Sequence, residues 1–239
     1  MFGASRGRAV RAPVQALDKL HFAIQSRHMQ TDWAAENLQT IRTLMERSAL
    51  YRHALAPIMT ALGIIGIVAA AIGYFLTIDS PYKFFIFWML VCVFALAIAF
   101  LLVRRQALKD REPFWSPPTR RVIQAISPPL FAGMILGFLA MLISSSEDSS
   151  PTSWTFLKIV VPLWIIFYGC ALHAAGFFMP RGFKLFGWAF VLSGVVSLAM
   201  LDSFRFPLQT HWVMGAFFGC AHLAYGIYLY FTEKTRNAA

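Results

Sequence analysis

Two histidines stand inside apolar runs, and both come with the same neighbours. Phe167-Tyr168-Gly169-Cys170-Ala171-Leu172-His173-Ala174-Ala175-Gly176 is echoed by Phe217-Phe218-Gly219-Cys220-Ala221-His222-Leu223-Ala224-Tyr225-Gly226, with the second histidine one place earlier. An imidazole can ligate a metal, carry a proton or bridge two hydrogen-bonding groups. If the segments lie on facing helices at similar depth, His173 and His222 are candidate axial ligands of a haem b, flanked by glycines that leave room for a flat macrocycle. Arg181 and Lys184 would then lie near its propionates. Cys170 and Cys220 complete a His2Cys2 set by residue type alone, but their spacing turns at least one cysteine to another helix face, so no metal site is assigned. The plainer alternative is structural: a buried histidine needs only hydrogen-bond partners, and Tyr168, Tyr225, Ser193 or a backbone carbonyl can supply them.

No catalytic residue is assigned either. Ser193 falls at about the depth of His222 on the adjacent span, and Ala221-His222-Leu223 resembles the histidine helix of rhomboid proteases. That resemblance implies a serine–histidine dyad. However, rhomboids carry their serine in a Gly-x-Ser-Gly motif on a helix parallel to the histidine helix. Here Ser193 lies on an antiparallel span without that motif, where bonding back to its own helix is commoner.

The elements that must position these residues are membrane spans. The chain is 58% hydrophobic and only 13% charged, with a mean hydropathy of +0.60, beyond what a soluble domain carries. A bilayer core takes about 20 apolar residues per helix, and six stretches qualify: 57–78, 84–103, 122–143, 156–179, 183–201 and 211–231. The fold class is therefore all-α, a polytopic membrane protein of six transmembrane helices. Cys92, Cys170 and Cys220 all fall within spans and form no disulfide framework.

Orientation follows from the basic residues. With the N-terminus inside, 18 of the 21 Lys and Arg lie on the cytoplasmic side, and the loop holding Glu147 and Asp148 lies outside. Both termini are then cytoplasmic, in a membrane expected to be a bacterial inner membrane. The net charge of +10 meets anionic headgroups of the lipid bilayer and calls for no nucleic acid.

Residues 1–31 read as a basic, disordered arm; an Arg-rich presequence, or an extension ahead of a start at Met29, are the alternatives. Residues 32–56 read as an amphipathic cytoplasmic helix, with Leu38, Ile41, Leu44 and Met45 at helical spacing. It suits the headgroup plane or another membrane protein. Asn37 to Arg47, followed by Tyr51 and Ala56-Pro57, resembles the opening of uncharacterised bacterial six-span integral membrane proteins. The likeness covers residues 33–75 and implies the fold but no activity.

Small residues form stripes that let helices approach closely: Gly133 and Gly137 on span three, Gly169 and Gly176 on span four, and Gly215, Gly219 and Gly226 on span six. Ser127-Pro128-Pro129 predicts a kink in span three. No acidic residue lies at mid-membrane, which argues against cation coupling. The sequence thus points to a non-enzymatic scaffold, sensor or accessory subunit. Haem-linked electron transfer stands second and neutral-solute transport third. Residues 232–239 form a cytoplasmic tail.

Overall fold

The computed structural model describes residues 55–109, 114–144, 150–179, 181–200 and 208–237. The arm and the stretch from 32 to 54 lie outside the described residues. Among the described residues, six helices are long and apolar enough to cross a membrane: α1 (Leu55–Phe75), α2 (Pro81–Lys109), α3 (Pro117–Ile143), α4 (Pro151–Ala175), α5 (Arg181–Ala199) and a sixth that changes its winding partway. The sixth begins as α6 (Leu208–Met214), continues as a π-helical segment (Gly215–Ala221) and resumes as α7 (His222–Asn237). No strand occurs among the described residues. This is an all-α integral membrane protein.

Local chemistry sets several boundaries. Helix α4 starts at Pro151, ahead of the apolar run, because Ser150 Oγ accepts the Ser153 amide at 3.2 Å and proline fits the first helical position. Ser116 and Pro117 open α3 in the same order, without a side-chain cap bond. Helix α1 ends at Phe75, short of residue 78, where the chain turns through Thr77 at φ 48. Pro57 lies inside α1, within its first turn, where its missing N–H costs nothing. Pro128 and Pro129 lie inside α3. Pro128 cannot donate to the Gln124 carbonyl, and Ser127 Oγ reaches that oxygen instead at 3.4 Å.

Two antiparallel seams hold the bundle. Between α1 and the sixth helix, Gly226 meets Thr60, Gly63 meets Leu223, Gly66 meets Phe218 and Gly219, and Gly215 meets Ala70, nearly backbone to backbone. A Cβ on Gly63 would lie 2.5 Å from the Leu223 amide nitrogen. Between α4 and α5, Gly176 meets Lys184, Gly187 meets His173, Gly169 meets Gly187 and Val191, and Gly194 meets Ile166. Such contacts exist only where side chains are absent, and they supply the dispersion that stands in for the hydrophobic effect between helices in lipid. Helix α4 also packs on α3 and α2, and Trp164 ties it to α3 by donating its indole N–H to the Gly133 carbonyl at 2.8 Å.

Candidate functional site

Five of the spanning helices line a partly open pocket with a cavity volume of about 160 Å³. Leu62, Ile65 and Gly66 come from α1; Trp88, Met89, Cys92, Ala95 and Ala99 from α2; Pro129, Leu130, Gly133 and Met134 from α3. Trp164, Phe167 and Tyr168 of α4 close it on one side, with Met214, Phe218 and His222 of the sixth helix. Gly133 differs from the other glycines of the predicted stripes: a Cβ there would find its nearest atoms at 3.7 Å, so the missing side chain opens the cavity wall. Gly137, one turn on, is packed hard against Trp164 and Met89.

The wall is apolar except at Cys92 and at one hydrogen-bonded pair. Tyr168 Oη and His222 Nε2 lie 2.6 Å apart, and His222 Nδ1 lies 3.1 Å from the carbonyl oxygen of Phe217. A carbonyl can only accept, so Nδ1 carries the proton. In a neutral ring Nε2 is then the acceptor and Tyr168 O–H the donor. His222 is 1% exposed. Its ring stacks on Phe218 and meets Phe186, Phe190 and Tyr168 edgewise or at a tilt. The π segment matters here, because it places His222 where its ring reaches five residues back along the chain while its own amide bonds to the Gly219 carbonyl.

His173 has another fate. Its backbone lies in the α4–α5 seam, and its half-buried ring packs against Phe177 and Trp188, both exposed. Its Nδ1 is buried with no hydrogen-bond partner among the described residues. The rings of His173 and His222 share no aromatic neighbour. Ligation of one iron by both would need ring nitrogens about 4 Å apart, twice a metal–imidazole bond, whereas both His222 nitrogens are engaged elsewhere. His222 thus holds both nitrogens in other bonds than the ligation that the haem reading requires. Cys170 and Cys220 are exposed, and no three of His, Cys, Asp and Glu cluster among the described residues. Ser193 does not join a dyad either, since Tyr168 holds the His222 acceptor.

Sequence reasoning passed over His211, which is fully buried. Its Nε2 donates to the Ile78 carbonyl at 3.0 Å in the α1–α2 turn, and its Nδ1 accepts the Trp88 indole N–H at 3.2 Å. Gly73 abuts the ring and Phe84 and Phe87 pack beside it. The signal was faint: a histidine near a span's end looks like an interfacial residue.

No protein-family model, no curated protein and no solved structure matches this chain.

Proposed function

We propose that this chain is a non-enzymatic sensor or accessory subunit of the membrane that takes a small apolar ligand into this cavity. The observation that carries it is the cavity itself, walled by five of the six spanning helices and apolar apart from Tyr168–His222 and Cys92. An enclosed apolar void of about 150 Å³ takes up benzene-sized molecules, and this pocket offers similar room while opening between helices. The charge distribution supports a placement with both termini cytoplasmic, and a bacterial inner membrane is the setting we assign. Residues 32–55 remain the surface proposed for another membrane protein.

Uptake is tested by the thermal stability of the detergent-solubilised protein with toluene. At ten times its dissociation constant toluene should stabilise by about 1.4 kcal/mol. Ala95→Phe, which fills the cavity from α2, should abolish the gain. An equal response of both proteins would remove the proposal.

Neutral-solute transport is the second reading, favoured because the π segment and Pro129 border the same cavity. Interrupted helices at membrane depth can shift their backbone partners around a site. Flux of the ligand in proteoliposomes separates transport from sensing.

A further inference from the structure

We infer that the cavity selects a ring-sized apolar molecule bearing a hydroxyl, whose O–H donates to the oxygen of Tyr168. The inference rests on the ligand-binding proposal above and adds the chemistry of the polar end. The Phe217 carbonyl fixes the proton of His222 on Nδ1, and a charged imidazolium is costly in hydrocarbon. Nε2 therefore takes the Tyr168 proton, and the phenolic oxygen turns only lone pairs toward anything else.

The other polar groups of the wall point the same way. Trp164 spends its indole N–H on the Gly133 carbonyl, and Trp88 spends its own on His211 Nδ1. Cys92 adds a weak donor and a weak acceptor. Among the described residues, the side chains lining the cavity thus offer one strong acceptor and no free strong donor. A ketone, aldehyde or ether buries its oxygen there unpaired, which is penalised. A hydrocarbon forgoes the bond, and a phenol or small alcohol makes it. At about 160 Å³ the space suits a single ring. That ring is either a free phenol or the hydroxylated end of a lipid that enters between helices.

Fluorine NMR titrations of the full chain in micelles with 4-fluorophenol, 4-fluorotoluene and 4-fluorobenzaldehyde test this, with Ala95→Phe as the reference for partition into detergent. We expect 4-fluorophenol to bind about tenfold tighter than the other two, the ratio that one net hydrogen bond provides. His222→Leu leaves the Tyr168 proton without its acceptor, so the order should invert in favour of 4-fluorobenzaldehyde. Should that variant fail to fold, the wild-type order decides alone. Equal binding of all three probes overturns the hydroxyl inference and leaves the cavity proposal standing. No difference between wild type and Ala95→Phe for any probe overturns both. Displacement of 4-fluorophenol by 4-dodecylphenol, whose ring carries an alkyl tail, assigns the hydroxyl to a lipid source, and persistence of the bound probe assigns it to a small free molecule.

Discussion

Residues 167–176 and 217–226 carry nearly the same letters and do different work. In both, the glycine after the aromatic pair is buried in a helix seam: Gly169 against α5, Gly219 against α1. In both, the following cysteine is exposed. They part at the histidine, which follows the glycine by four residues in one segment and by three in the other. One residue is about 100° of rotation on an α-helix, and the π segment changes the winding just ahead of His222; His173 ends at the outer edge of its seam and His222 in the core. The shared letters record a common need for close helix contact. The two segments supply the two ends of one polar bond in the cavity wall, Tyr168 from the first and His222 from the second.

The largest test of this contrast concerns what the segments share. Gly219→Val and Gly169→Val should each destabilise by about 3 kcal/mol in a mixed-micelle unfolding titration, since the new side chain meets backbone. Gly133→Ala should stay within about 0.5 kcal/mol, because its nearest atoms lie at contact distance. Next comes the residue at which the segments differ. His222→Ala should cost about 2 kcal/mol by orphaning the Tyr168 hydroxyl, and a double-mutant cycle of Tyr168→Phe with His222→Ala should show coupling of about 1 kcal/mol. The smallest effect belongs to His173→Ala, within about 0.5 kcal/mol because no hydrogen bond to its ring is lost. Equal costs for the two histidine variants would sink the distinction.

The spans were legible because twenty apolar residues in a row have few other fates. Their ends were not, where a polar first turn hides a cap: Ser150 and Pro151 start α4 ahead of residue 156. The glycine positions could be read as contact surfaces, but not which helix each would meet, since sequence gives rotation about one axis and not the neighbour. Tyr168 was one of four partners in reach of a buried histidine, and nothing local singled it out over Tyr225, whose hydroxyl has no partner among the described residues. The π segment left no sign in composition, so the reach of His222 to Phe217 was invisible. His211 was missed for the opposite reason: its partners, Trp88 and Ile78, lie on remote parts of the chain.

The seam between α1 and the sixth helix joins regions far apart in synthesis. Ile78 and His211, at one end of it, are separated by 133 residues, which a ribosome making roughly 5–20 residues per second needs on the order of ten seconds to add. Throughout that interval the glycine face of α1 lacks the helix on which it packs in the finished bundle. Completion of this seam therefore waits for the sixth helix. A nascent chain stalled before the sixth helix would offer quality-control proteases an unpaired glycine groove as the mark of an unfinished molecule.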